Sequence, residues 1–349
     1  MKIFRIKVIF FIFFVLILMA LAWLVSGIYS PNENLKDSEI FEVKKGENLF
    51  TIADNLKEKK LIKNKYSFVL YVAFKNKAHL LKAGDYEISP KMSAKEIADM
   101  IIQGKNRLIR VTIPEGWNLR DIGFYFENLG MFQAEEIWEI AGFPATVYKE
   151  GINLPKPRDF SQKYSFLKEK PTNIGLEGYL FPDTYFISKD VTVDEIITMM
   201  LDNFDRKIDS QLREEIRKQN KTLFQIVTMA SLLEKEAKTP EDKKIISGIL
   251  WKRLKYGMPL QVDATISYIT GKKSVKISSK ETQIDSPYNT YKYKGLPIGP
   301  ICNPGMESIL AAVYPQETDY WYYLSTPEGE ILYSKTLKEH NIKKAKYLK

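Results

Sequence analysis

Cysteine is almost absent from these 349 residues: Cys302 stands alone, so no intrachain disulfide can form and oxidising surroundings are harmless. Histidine is nearly as scarce, and His79 and His340 lie too far apart in sequence to make a metal site by themselves. No glycine-rich phosphate loop is present, and no metal or cofactor is expected. Lysine and arginine give a formal charge of +9 without clustering into a nucleic-acid patch, so the excess suits anionic surfaces such as headgroups or acidic wall polymers. Long apolar runs are also missing, with one exception at the amino terminus.

That exception is residues 8–29, which carry no charged side chain and are long enough to cross a bilayer, for which about 20 residues are needed. Lys2, Arg5 and Lys7 precede it, and Glu33, Asp37 and Glu39 follow. The positive-inside rule then predicts a cytoplasmic segment 1–7, an anchor over 8–29, and everything beyond residue 30 outside the cytoplasm. A cleaved signal peptide is the competing reading, with Ser26-Gly27 small enough for cleavage, but the apolar run exceeds the usual ~7–15 residues. No second span follows, so a single-pass protein is expected, carrying two or three domains outside the cytoplasm.

After a polar linker, 31–39, the chain repeats itself at an offset of 70 residues: Val43, Gly46, Asn48, Leu49 and Ile52 match Ile113, Gly116, Asn118, Leu119 and Ile122. Asparagine two residues after a turn glycine is a preferred helix N-cap, and Leu49, Ile52 and Leu56 keep helical spacing. Residues 84–88 read as a strand, Ser93 and Glu96 as a capping box, and Gly104 as the stop of the helix between them. A strand–helix–helix–strand unit entered through Gly-x-Asn-Leu resembles LysM-type modules that bind N-acetylglucosamine polymers. The reading is a LysM-like α+β module over 40–105, with glycan binding and a mere spacer both open, and the place of the second copy, 111–142, undecided.

Further on, residues 222–233 (TLFQIVTMASLL) carry no charge and run into Glu234-Lys235-Glu236. A carboxyl group at the end of such a helix either meets water or is held in a site, where burial raises its pKa toward the range a general acid needs. At about 100° per residue the two glutamates point roughly 200° apart. Ser231, Ala230 and Val227 behind Glu234 leave room for a ligand, whereas Leu233, Leu232 and Met229 behind Glu236 look like core. This favours Glu234 for chemistry and Glu236 for an ion pair or the helix end. Next come an amphipathic helix over 243–255 and the segment LQVDATISY (260–268). If extended, that segment sets Gln261, Asp263 and Thr265 on one face, suited to sugar hydroxyls or equally to the wet face of an edge strand. In the Pro/Gly-rich loop 285–305, Tyr288 and Tyr291 could stack on sugar rings and Asn289 could bind an acetamide, or all three could pin the loop. LEGYLFPDTY (176–185) adds a second carboxylate candidate, Glu177. Residues 322–334 predict a hairpin turning at 327–329.

With LEGYLFPDTY, ASLLEKE (230–236), LQVDATISY and SPYNTYKYKGLPIGPICNPG (286–305) in order, the chain resembles the MltG/YceG-like family of endolytic murein transglycosylases. The resemblance extends over most of 40–349. It implies an α+β fold with a catalytic domain over 106–349, and it carries the family's catalytic glutamate onto Glu234. It further implies a lyase that protonates the bond between N-acetylmuramic acid and N-acetylglucosamine in nascent glycan strands. The muramyl C6 hydroxyl then closes a 1,6-anhydro end and strand elongation stops. Peptidoglycan strands and the cell membrane are the implied partners, with peptidoglycan synthases as candidates and nucleic acid excluded. Two rival readings stay open: a membrane-tethered wall-binding protein without activity, and a muramidase-type hydrolase pairing Glu234 with Asp263 or Glu177.

Overall fold

The computed structural model describes residues 2–32, 37–105, 107–272 and 277–348, so part of the linker, including Glu33, lies outside the described residues. The fold is mixed α+β, and the chain divides into two compact units: 1–111 with 186–191, and 112–185 with 192–349.

The first unit opens with helix α1 (Lys2–Tyr29), whose stretch Ile9–Tyr29 is long and apolar enough to cross a membrane. Strand β1 (Glu39–Val43), helices α2 (Leu49–Glu58) and α3 (Lys65–Phe74), and strand β2 (Gly84–Ile88) follow in the expected strand–helix–helix–strand order. β1 and β2 pair antiparallel, Glu39 opposite Ile88 and Val43 opposite Gly84. The Asn48 side chain accepts from the amides of Phe50 and Thr51, both at 3.0 Å, which is the capping role its sequence position predicts. Helix α4 (Ala94–Gln103) starts in a complete Ser93/Glu96 capping box and stops at a left-handed Gly104. β3 (Arg107–Thr112) then joins β2 in a four-stranded sheet of order β1-β2-β3-β4, β4 being Thr184–Ile187. Phe41, Ile52, Leu56, Phe68, Val72, Tyr86 and Ile97 fill the core between sheet and helices.

In the second unit, α5 (Leu119–Asn128) and α6 (Ala134–Ala141) are the second repeat copy, α5 capped by Asn118 as α2 is by Asn48. After β4 come α7 (Val193–Lys207), α8 (Ser210–Lys218), α9 (Leu223–Glu236) and α10 (Pro240–Lys255). α9 is the central helix: residues 226–233 are all buried, as a helix apolar on every side requires. Then follow α11 (Asp263–Thr270), α12 (Met306–Val313), strands β5 (Tyr322–Ser325) and β6 (Ile331–Ser334), and α13 (Leu337–Tyr347). β5 and β6 form the expected hairpin, with Gly329 at a positive φ of 88° in its turn.

Segment 260–268 departs from the sequence reading. Instead of an extended ladder, Gln261 takes a left-handed φ of 54° and Asp263 begins α11. Val262 donates its amide to the Thr290 hydroxyl at 3.0 Å, which fixes the chain at the turn into the helix. The helical period then turns Thr265 inward, so its hydroxyl meets the Val262 carbonyl at 2.7 Å rather than a ligand.

Candidate active site

The two glutamates at the end of α9 occupy opposite kinds of surroundings. Ser231 and Ala230 are small, but the room they leave is taken by the chain itself. The Ile301 amide donates to Ser231 Oγ at 3.0 Å, and the Cys302 thiol donates to the Ser231 carbonyl. Covered by that loop, Glu234 accepts from the Gly305 amide at 2.9 Å and from Ser308 Oγ at 2.6 Å, and pairs with Lys243 Nζ at 3.3 Å. Gly305 is the N-cap of α12, so the carboxylate also sits at the positive end of a helix dipole. The Glu115 carboxylate packs against Gly305: a Cβ on residue 305 would lie 1.9 Å from one of its oxygens, so a side chain there would displace Glu115. Burial and the neighbouring Glu234 charge push Glu115 above its usual range. Every partner of Glu234 is a donor or a cation, which makes it an anchor between α9, α10 and α12.

Glu236 instead faces a cleft of about 810 Å³, within the size range of ligand sites. Trp117, Arg120, Tyr125, Lys235, Asp263 and Ser267 line the same cleft. Burial pushes the Glu236 carboxyl up to about 7, and the negative charge of Asp263 adds to this. A hydrogen bond from the Tyr323 hydroxyl and the charge of Arg253 oppose the rise. Tyr323 comes from the hairpin. Arg253 is buried and tied to the carbonyls of Trp321 at 2.9 Å and Leu260 at 2.7 Å. The Tyr291 hydroxyl hydrogen-bonds Asp263. Trp117 and Tyr125 meet edge to face, centroids 5.1 Å apart, and give the cleft an aromatic wall.

Of the two glutamates, Glu236 and not Glu234 lines the cleft, and besides Thr265 three further binding candidates are internal braces. Glu177 is buried and accepts from the Leu119 amide at 3.1 Å, the Tyr268 hydroxyl at 3.0 Å and Asn303 Nδ2 at 3.2 Å; burial pushes it up to about 8. Tyr288 packs edge-on against Tyr268 in the core. Asn289 is fully buried, donating to the carbonyls of Thr282 and Ile284 at 3.0 and 2.7 Å and accepting from the Tyr291 amide at 2.9 Å. Asp263 lies at the cleft with Tyr291 bonded to it, while Gln261 is exposed beside it and not part of its wall.

Sequence reasoning gave no role to Trp117, Arg120, Tyr323, Arg253 or Asn303. Asn303 ties the 286–305 loop to the 176–185 motif and to Trp117. Its Oδ1 accepts from the amides of Gly178 and Leu180 at 2.9 and 3.0 Å, and its Nδ2 donates to the Trp117 carbonyl at 3.0 Å. Gly178, at a φ of 90°, permits that closeness, since a Cβ would lie 2.5 Å from Pro300.

A helical α+β unit whose buried central helix ends in an acid at a cleft is a frame suited to acid–base chemistry. The YceG-like family model matches residues 41–346, and the chain belongs to that family. It is 34% identical over 318 residues to a Bacillus subtilis protein named endolytic murein transglycosylase, covering 90% of this chain and 86% of that one. A Streptococcus pneumoniae protein of the same name is 32% identical over 315 residues; the match takes in 86% of this chain and spans 56% of that relative's length. A crystal structure of a yceG-like protein from Listeria monocytogenes superposes with a TM-score of 0.59 at 34% identity, covering 88% of this chain and 99% of that one.

Proposed function

We propose that this chain is an endolytic murein transglycosylase whose single acid–base group is Glu236. The observation that carries this is a carboxyl held near neutrality, at about 7, in a cleft large enough for a saccharide segment. The names of the relatives supply the substrate and the reaction class.

In the first step protonated Glu236 gives its proton to the glycosidic oxygen as the bond from muramyl C1 breaks. The resulting carboxylate then takes the proton of the muramyl C6 hydroxyl while that oxygen bonds C1. The anhydro end forms, no water is consumed, and Glu236 ends protonated as it began. A group near its own pKa at working pH serves both directions of proton transfer. Tyr323 orients the carboxyl, and Asp263 steadies the positive charge that develops on the sugar ring. Trp117 and Tyr125 offer apolar faces to pyranose rings.

α1 anchors the protein in the cell membrane, with Lys2, Arg5 and Lys7 inside and residues 40–349 outside. Residues 40–105 form a LysM-like module, a glycan binder or a spacer, and 106–349 the catalytic domain, and the nascent strands it meets are delivered by peptidoglycan synthases. Peptidoglycan digested with the full chain in detergent, followed by mass analysis, tests the reaction. Anhydro ends are expected. Reducing ends would replace the reading with a hydrolase in which Asp263 activates water, and intact strands would leave a wall-binding protein.

A further inference from the structure

α3 buries Ser67, Phe68, Tyr71 and Val72, and a second face of it is exposed among the described residues. That face presents Tyr66, Leu70 and Phe74 at i, i+4 and i+8, exposed by 61%, 44% and 87%. Single exposed apolar side chains are ordinary, but a helical stripe of three is not. Lys63, Lys75 and Lys77 are exposed at its ends.

The height of this stripe is fixed by α1, which belongs to the same compact unit. Ser67 Oγ donates to the carbonyl of Leu24 at 2.9 Å. The approach is so close that a Cβ on Gly27 would lie 2.4 Å from Ser67 Oγ. Beyond the helix, Pro31 bridges to Ser93 and Asn32 donates to the Lys60 carbonyl, so the anchor leaves the membrane already fastened to this unit. Leu24 lies five residues inside the end of the apolar stretch, or about 7–8 Å at 1.5 Å per residue. Interfacial helices bury their apolar faces about 5–10 Å into the headgroup–acyl boundary, with lysines reaching the phosphates.

We infer that Tyr66, Leu70 and Phe74 bed α3 into the outer boundary of the bilayer that α1 crosses, with Lys63, Lys75 and Lys77 meeting anionic headgroups. The protein then holds the membrane by two elements, and the unit carrying α3 is fixed in height and tilt rather than free on a tether. This rests on α1 being a membrane span, but not on the proposed cleavage reaction.

The test uses the full chain in phosphatidylcholine–phosphatidylglycerol vesicles, with one environment-sensitive fluorophore on F74C, F14C or E328C. Native Cys302 is buried and stays unlabelled. Lipid carrying a nitroxide high on its acyl chain should quench the label at 74 several-fold more than the label at 328, and iodide should do the reverse. L70C reads the same surface if F74C does not reconstitute. Iodide quenching at 74 equal to that at 328 would overturn the inference, and so would shielding from both quenchers, which would mean protein covers the stripe. A label at 14 that lipid nitroxide does not reach would remove the span, and the inference with it. No outcome depends on cleavage, so this experiment and the digestion fail separately.

Discussion

Replacing each glutamate of the EKE triplet by glutamine separates an anchor from an acid. In Glu236→Gln the side chain keeps its shape and loses its ionisable proton. General acid–base loss costs about 10²–10⁴-fold, and because one group serves both steps the upper end is expected. Stability should hold or rise, since a carboxyl that burial pushes up to about 7 gives way to a neutral amide. Glu234→Gln does the opposite. Lys243, with its side chain 3% exposed, loses its 3.3 Å partner and keeps Glu307 at 4.0 Å. Breaking one side of a buried pair costs about 3–5 kcal/mol, and the residual acidic neighbours argue for ~3. At roughly 2–4 °C per kcal/mol for a domain of this size, Tm should fall by about 6–12 °C. Lys243→Met in the same chain should restore part of that fall, because the stranded cation is gone. The assays are differential scanning fluorimetry and release of anhydro-muropeptides well below Tm. A folded, inactive Glu234→Gln beside a turning-over Glu236→Gln would refute the assignment.

Further outcomes follow from the same geometry. Cleavage should lose its acid and decline through pH ~7 on the alkaline side, as Glu236 deprotonates; kcat/KM against pH measures this limb. Tyr323→Phe removes a hydrogen bond that favours the charged form and should move the limb to higher pH, whereas Asp263→Asn removes a repelling charge and should move it lower. Glu177, raised to about 8 in the fold, contributes stability that is complete below its unfolded pKa and lost as pH rises through 8. The Tm advantage of the native chain over Glu177→Gln should therefore shrink between about pH 4.5 and 8. Asn289→Ala strips a fully buried amide from the Thr282 and Ile284 carbonyls and should cost about 2–3 kcal/mol, read as a lowered Tm together with lost activity.

Local signals carried the helices and turns. Asn48, Ser93 and Asn118 each cap the helix their neighbours predicted, because capping is settled within four residues of chain. The hairpin followed from a turn glycine between two aromatic runs, for the same reason. Asp263 does line the cleft with Tyr291 bonded to it, but several inferences that needed to know which chain segment fills a space did not hold. Small residues behind Glu234 were read as room for a sugar, yet Ile301 and Cys302 occupy it. The polar groups of Asn289 and Glu177 looked free for substrate, yet backbone amides and carbonyls distant in sequence claim them. A polar side chain in a Pro/Gly-rich loop carries the same letters whether it faces a ligand or satisfies the loop's own backbone. The alternation in 260–268 failed differently, since five residues are too few to distinguish a strand from the entry of a helix once Gln261 turns left-handed.

The cleft adds a constraint on how the acid is held. α9 brings its last turn to the cleft wall, where the helix dipole disfavours a second negative charge and so assists the raised pKa of Glu236. Two residues earlier Glu234 fastens that turn to the start of α12 and to Lys243. One helical turn therefore carries both: a carboxylate held by Gly305, Ser308 and Lys243, and a second that takes the Tyr323 hydroxyl at the cleft. Uncoupling them by Glu234→Gln should widen the positions open to the Glu236 carboxyl and lower kcat more than it raises KM, since orientation acts on the proton-transfer step rather than on saccharide binding.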